Sequence, residues 1–369
     1  MCYEIADRIV VPMSTAAPSG TDTAPAPPGA TPPVDIPPPP ARTTPDTAPT
    51  RNAARPAVVR RALDWRLRFG ALCLVWGFSF LFIKVGTQAY APLHVTFGRV
   101  AFGSVVLVAV LVAKRERLPR SARTWGHLAV AAFFLNALPF SLFAYAELTI
   151  PSTLAGVCNA SSPLWGMALS LVALSEDRPT RRRVAGLGLG FLGVLTVLGA
   201  WQGFSGTDPT GTAMALGASL SYPIGWIYVR RTLAGVKDSN VALSSTQMLL
   251  ATVQVGVVTA LFTSAPVSYP AVPLLAVLAL GALGTGFAFL LQYGLVAEVG
   301  PTTAQMVTYF VPVIATTAGV TLLGEQLSWN TPVGAVIVLA GAALTQSRRR
   351  VGRRPARRGG GRPADEATP

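Results

Sequence analysis

Pro163 to Glu176 reads PLWGMALSLVALSE, and 149 residues further on Pro312 to Glu325 reads PVIATTAGVTLLGE. Each stretch opens on a proline, runs through twelve largely apolar residues and ends on a glutamate. Each is followed by another apolar segment. A long apolar run that holds a proline and closes on a carboxylate is an uncommon combination. Its recurrence at matched places in two halves marks the chain as an internal duplication.

Composition identifies the solvent these repeats are built for. Of 369 residues, 51% are hydrophobic and only 12% are charged, about half the usual charged share. A soluble core cannot bury so much apolar surface, so a lipid bilayer is the expected surrounding. The formal net charge of +14 would suit a nucleic-acid partner if it formed a face. It does not form one. Of the 30 Lys and Arg residues, 8 precede residue 70, 8 follow residue 347 and 12 fall in three short loops, which leaves Lys84 and Arg99 inside apolar segments. That is an orientation signal, and no nucleic-acid partner is expected. Cys2, Cys73 and Cys158 are too few and too scattered for a disulfide framework or a zinc site, and Cys73 and Cys158 read as packing residues.

The first 60 residues hold 14 of the 31 prolines, with Pro37 to Pro40 in a row. Proline offers no backbone donor, and little apolar surface is present to offset the entropy of ordering, so residues 1–65 are expected to be a disordered or polyproline tail. The first 50 residues contain no apolar stretch before a small-residue cleavage site, so no cleaved leader is expected. Ten apolar segments follow, at 70–88, 93–113, 126–146, 151–174, 183–201, 210–229, 241–263, 271–295, 300–323 and 331–347. Most approach the roughly 20 residues that cross a hydrocarbon core of about 30 Å as a helix. Helices satisfy every backbone group within the segment, and no alternating ten-residue strand pattern competes. The expected fold is an all-α integral membrane protein with ten transmembrane helices, in repeats over 66–203 and 208–347 and with a basic disordered tail over 348–369.

Loop charge orients the chain. Twelve basic residues lie in the loops after segments 2, 4 and 6, among them Lys114, Arg123, Arg178, Arg183, Arg230 and Lys237. The loops after segments 1, 3, 5, 7 and 9 carry none. The positive-inside rule then places both termini in the cytoplasm of a multi-pass cell-membrane protein. Five spans per repeat is an odd number, so the second repeat enters the membrane inverted. Glu176 is thereby expected at the cytoplasmic end of its helix and Glu325 at the external end. Other echoes agree: Trp76 to Lys84 (WGFSFLFIK) matches Tyr222 to Arg230 (YPIGWIYVR), and Gly186 and Gly193 match Gly334 and Gly341. Inverted repeats about an in-plane pseudo-two-fold axis are the build of secondary transporters, which expose a central site to each side in turn.

The ten spans as five plus five, the opening WGFSF (Trp76 to Phe80), Arg99 in segment 2, the two proline-to-glutamate segments and the small-residue final helices GLGLGFLGVLTVLG and VGAVIVLAGAALTQ resemble the EamA-type carriers of the drug/metabolite transporter superfamily. The resemblance covers residues 70–347 and implies export of small metabolites or drugs, without indicating which. The first copy has Ser175–Glu176–Asp177 where the second has Gly324–Glu325, the more typical form.

A charged group inside a span is costly, about 2.5 kcal/mol or more at a helix centre, and so is a functional candidate. Lys84, Arg99 and Glu147 are expected in one external layer. Lys84 either snorkels to the interface or joins that cluster. Arg99 either caps backbone carbonyls or receives a substrate carboxylate. Glu176, beside Arg178, reads as a solvated helix end or a gating residue, and Glu325 as the cap of the final helix or a gating residue. The central pathway is expected to be lined by Trp76, Ser79, Arg99, Asn136, Tyr145, Asn159, Ser162, Tyr222, Gln292, Gln305 and Tyr309, since amides and hydroxyls at lipid depth face the bundle. Pro163 and Pro312 each remove a helical hydrogen bond and are the candidate hinges.

Other chemistries fare poorly. The histidines, His94 and His127, lie on different segments with no nucleophile, base or metal-ligand spacing beside them, so neither catalysis, a cofactor nor a metal is expected. No GxxxxGK[ST] loop is present to drive transport with ATP. The expected partners are the bilayer, a small-molecule substrate and protons as the coupling ion, with no oligomeric state implied. The competing reading is a membrane scaffold or receptor that keeps the carrier fold without transporting.

Overall fold

A computed structural model describes residues 64–173, 180–199 and 208–346. Among these residues all regular structure is helical. The order is α1 Trp65–Gly86, α2 Pro92–Ala113, α3 Ala122–Ala132, α4 Leu138–Ala146, α5 Ser152–Asn159, α6 Ser162–Ala173, α7 Arg181–Val197, α8 Pro209–Thr232, α9 Asn240–Phe262, α10 Ala271–Gly281, α11 Ala288–Gln305, α12 Val307–Leu323 and α13 Asn330–Gln346. Glu176 and both expected tails lie outside the described residues.

The helix starts follow from capping chemistry. Asp64 accepts a hydrogen bond from the Arg66 backbone N–H at 3.0 Å, and Ser239 accepts one from Ala242 at 3.0 Å. Pro92 and Pro209 occupy first turns, where their missing N–H leaves no intrahelical bond unmade. Five continuous helical runs are long and apolar enough to cross a membrane: Trp65–Gly86, Pro92–Ala113, Ala122–Ala146, Asn240–Phe262 and Ala271–Gly300. Their outward sides are apolar as well. Val105 is 65% exposed and Phe262 78% exposed, which suits lipid and would be a liability in water.

Two runs contain a π segment, Phe133–Ala137 between α3 and α4 and Ala282–Phe287 between α10 and α11. Each slips the hydrogen-bond ladder by one residue and re-phases the side chains beyond it. Segment 151–174, expected as one helix, is interrupted at Ala160–Ser161, between α5 and α6. The cause is local. Pro163 has no N–H for the Asn159 carbonyl, and the Ser162 hydroxyl donates to that carbonyl instead, at 2.7 Å. Pro312, by contrast, lies within a continuous α12. The change of direction on that side falls earlier, at Gly300, whose φ of 81° is a left-handed conformation open to glycine.

Packing pairs the corresponding helices. On α7 and α13, Gly341 faces Gly186 and Gly190 while Gly193 faces Gly334 and Val338, a reversed order that makes the two helices antiparallel. An alanine methyl group on Gly341 would lie 2.4 Å from the Gly190 nitrogen, so the two backbones touch. On α2 and α9, Thr259 donates to the Leu93 carbonyl at 3.3 Å and Gly256 faces Phe97, again antiparallel. The remaining helices interlock in matching fashion: α1 packs between α12 and the α10–α11 run, and α8 packs between α5–α6 and α4. Cys73 and Cys158 are buried thiols in this packing.

Candidate functional site

Between the packed helices lies a cavity of about 320 Å³. Trp76, Ser79, Phe80 and Ile83 from α1, Arg99 from α2, Phe140 and Phe143 from α4 and Thr285 from the second π segment shape one end. Asn159, Ser162, Pro163 and Ser170 of the interrupted α5–α6 segment line one wall, and Tyr222, Trp226 and Arg230 of α8 another. Gln247 of α9 and Phe289, Gln292 and Tyr293 of α11 complete it. Apart from the part-exposed Trp76, the residues at the Arg99 end are buried, with Ile83 1% and Phe143 2% exposed. At the other end Trp226, Arg230, Gln292 and Val296 are part-exposed, so the cavity opens there.

Arg99 is held by its surroundings. Its Nε donates to Thr285 Oγ1 at 3.1 Å, and its guanidinium carbon lies 3.6 Å from the centre of the Phe140 ring. The ring face supplies the electron-rich surface that an arginine favours when shielded from water. Among the described residues it bonds no backbone carbonyl. Asn136 is fully buried, and its Oδ1 accepts from Gln247 Nε2 at 2.6 Å, which fixes Gln247 against the cavity wall. Ser244 and Tyr293 join hydroxyls beside it.

Beyond the buried end, polar contacts close the bundle. Lys84 Nζ donates to the carbonyls of Glu147 at 2.5 Å and Ile150 at 3.2 Å, binding α1 to the turn between α4 and α5. Glu147 itself is fully buried, and neither carboxylate oxygen has a hydrogen-bond partner among the described residues. Among the described residues Lys84, Arg99 and Glu147 form no ion pair with one another. Glu325 accepts from the Ser152 N–H at 2.7 Å and the Thr153 N–H at 3.1 Å. It caps α5, in the other half of the chain, rather than the final helix as expected. The geometry suits it: the first-turn N–H groups of a helix have no intrahelical partner and sit at its positive end.

Asp208 adds a further tie, accepting from the Gly211 N–H at 2.6 Å and the Thr149 hydroxyl at 2.8 Å. Those bonds, led by the Gly211 N–H, hold its carboxyl below the ordinary value of 3.8. A carboxyl with a depressed folded value contributes its stability above the unfolded value and loses it as pH falls through the folded one. The thermal stability difference between the native chain and Asp208→Asn is accordingly expected to be constant at neutral pH and to shrink below about pH 4, as read by thermal unfolding in detergent at several pH values. A difference that stays constant down to pH 2.5 would contradict this account of Asp208.

Of the pathway candidates, Trp76, Ser79, Arg99, Asn159, Ser162, Tyr222 and Gln292 line the cavity. Asn136 stands behind Gln247. Tyr145 is 38% exposed and does not line it. Tyr309 packs in a separate cluster with Leu164, Val194 and Val338. Gln305 closes α11, and its side chain lies outside the described residues. Gln247, Thr285 and Arg230 were missed. Gln247 carries the same signal as the amides that were found, an uncharged polar group in an apolar run. Arg230 was counted as a loop charge, and nothing in its sequence context assigns it to the cavity.

A bundle of long apolar helices around a mostly apolar pocket set with a few polar side chains has the form of a membrane transport protein. Residues 69–199 and again 209–346 match the EamA-like transporter family, and the chain belongs to that family. It is 26% identical over 283 residues to an uncharacterized transporter of Archaeoglobus fulgidus, covering 74% of this chain and 94% of that protein. It is 25% identical over 282 residues to a probable amino-acid metabolite efflux pump of Salmonella typhimurium, covering 73% and 90%. A crystal structure with 21% sequence identity superimposes with a TM-score of 0.55 over 76% of this chain and 96% of the other, a likeness of fold.

Proposed function

We propose that the protein is a secondary transporter that exports a small metabolite or drug through the cytoplasmic membrane by alternating access of two inverted five-helix repeats, ten spans in all. The observation that carries this reading is the cavity, buried at the Arg99 end and open at the Arg230 end. Antiparallel pairing of α7 with α13 and of α2 with α9 supports the inversion, because each pair joins corresponding helices of the two family matches. Arg230 and Arg231 close α8 beside a basic loop, so positive-inside orientation makes the open end cytoplasmic. Both termini then lie in the cytoplasm, and the state described is inward-facing. The ties of Lys84, Asp208 and Glu325 hold the external side shut and must break for the cavity to open outward.

Proton coupling, within this reading, falls to Glu147. It is buried without a hydrogen-bond partner, and Lys84, Arg99 and Glu325 act on it electrostatically. The test is flux. Purified protein in liposomes is expected to move members of a broad metabolite panel, and an ionophore that collapses the pH gradient should slow the movement severalfold. No flux of any compound would sink the transporter reading. Flux indifferent to the ionophore would remove proton coupling alone.

A further inference from the structure

Among the described residues the cavity is charged in one sense only: Arg99 and Arg230 line it, and no described Asp or Glu does. Arg99 is 9% exposed and forms no ion pair among the described residues. Its one hydrogen bond among the described residues, from Nε to Thr285 Oγ1, and the Phe140 ring beneath it fix the guanidinium plane and leave the terminal amino groups toward the cavity. A shielded guanidinium is ordinarily paired with an anion, and its planar fork matches a carboxylate by two parallel hydrogen bonds. Glu147, the acid that acts on Arg99 from nearby, sits outside the cavity lining and makes no contact with it of ion-pair length. Tyr222, which also lines the cavity, stands eight residues before Arg230 on α8. Eight residues of helix are about 12 Å, the length of a single-ring molecule with a short side chain. Aromatic side chains share the lining with the two arginines, among them Trp76, Phe80, Tyr222, Trp226 and Phe289.

We infer that the cavity takes an organic anion: a carboxylate seated on Arg99, joined to an aromatic body and carrying no ammonium group. An ammonium would meet two arginines and no lining carboxylate, which disfavours free amino acids as well as amines. Arg230, at the open mouth, raises the local concentration of anions at the entrance. The inference rests on the transporter reading for the ligand's being cargo, whereas its binding is measurable without transport.

Three compounds with one indole ring separate charge from shape: indole-3-propionate, tryptophan and tryptamine, of net charge −1, 0 and +1. Each is titrated by calorimetry into the purified full chain at pH 7.5. Indole-3-propionate is expected to bind at least tenfold more tightly than tryptophan, with tryptamine weakest. Arg99→Gln should cost the anion at least tenfold and leave tryptamine unchanged, Arg99→Lys should recover part of the loss, and Arg230→Gln should slow association and weaken its salt dependence. The wild-type series decides the matter even where a variant fails to give a monodisperse peak. Tryptophan or tryptamine binding as tightly as the anion, or no binding by any of the three, overturns the inference. So does a well-folded Arg99→Gln that binds the anion as the native chain does. Anion binding without flux in liposomes would leave this site standing and remove the transporter reading, and flux of tryptophan without anion binding would do the reverse.

Discussion

Replacing Gly341 by leucine is expected to prevent the two ends of the bundle from closing on each other and to leave little monodisperse protein in detergent. A side chain there starts 2.4 Å from the Gly190 nitrogen and 2.5 Å from its Cα, both backbone atoms that cannot rotate aside. The only relief is separation of α7 from α13 along a contact that also includes Gly186, Gly193 and Gly334. Overpacking of a well-filled interior costs about 3 kcal/mol at the upper end of the usual range, and here the loss of neighbouring glycine contacts adds to it. Gly188 supplies the control. It lies on α7 as well, yet a Cβ there meets nothing within 4 Å, so Gly188→Leu should behave as the native chain. Size-exclusion profiles and unfolding temperatures of the two variants read the comparison directly. Equal behaviour of both would show that the close approach of α7 and α13 does not carry the stability assigned to it.

Glu325→Ala is the second large effect. Two charge-assisted hydrogen bonds would be lost and the Ser152 and Thr153 N–H groups left without partners, at a cost of about 2 kcal/mol. Gly319 is shaped for the interaction, since a methyl group on it would lie 2.4 Å from Glu325 Oε2. Glu325→Gln keeps one acceptor oxygen and should recover part of the stability, whereas Glu325→Lys, which brings positive charge to a helix N-terminus, should be worse than alanine. Unfolding temperatures in that order, glutamine above alanine above lysine, are the expected result. In the transport reading these variants also weaken the external closure, so a cysteine placed near Ser152 should become more accessible to a membrane-impermeant thiol reagent added outside. Unchanged stability in Glu325→Ala would leave the cap without energetic weight.

Why were these two features visible to different degrees in the sequence? The glycines of α7 and α13 stood out because small residues repeated at helical spacing have few uses besides close packing. Glu325 stood out as a charge at the edge of an apolar run, but its partner did not. Its ligands are backbone N–H groups of Ser152 and Thr153, 173 and 172 positions away, and a backbone N–H leaves no mark in the residue pattern. The same reason hides the Lys84 contacts, which are to carbonyls. Apolar segments were legible because the bilayer demands them. Their facing was much less so. A helix apolar on every side gives no polarity stripe to set its rotation, so Tyr145 and Tyr309 could not be told from Tyr222, which does line the cavity. The π segments compound the problem, because helical phase carried through them from the sequence is off by one residue.

Those π segments have a further consequence. Phe133 and Ala282, where they begin, are 149 residues apart, the same offset that separates Pro163 from Pro312. A π turn is an α-turn with one residue too many, and a helix tolerates it at a price in hydrogen-bond geometry that neutral drift would tend to erase. Two unrelated insertions at one register would be a coincidence. One insertion, present in the ancestral repeat before it was copied, accounts for both. The irregularity is thus older than the duplication, and each half has kept its own copy while nearly every side chain around it changed.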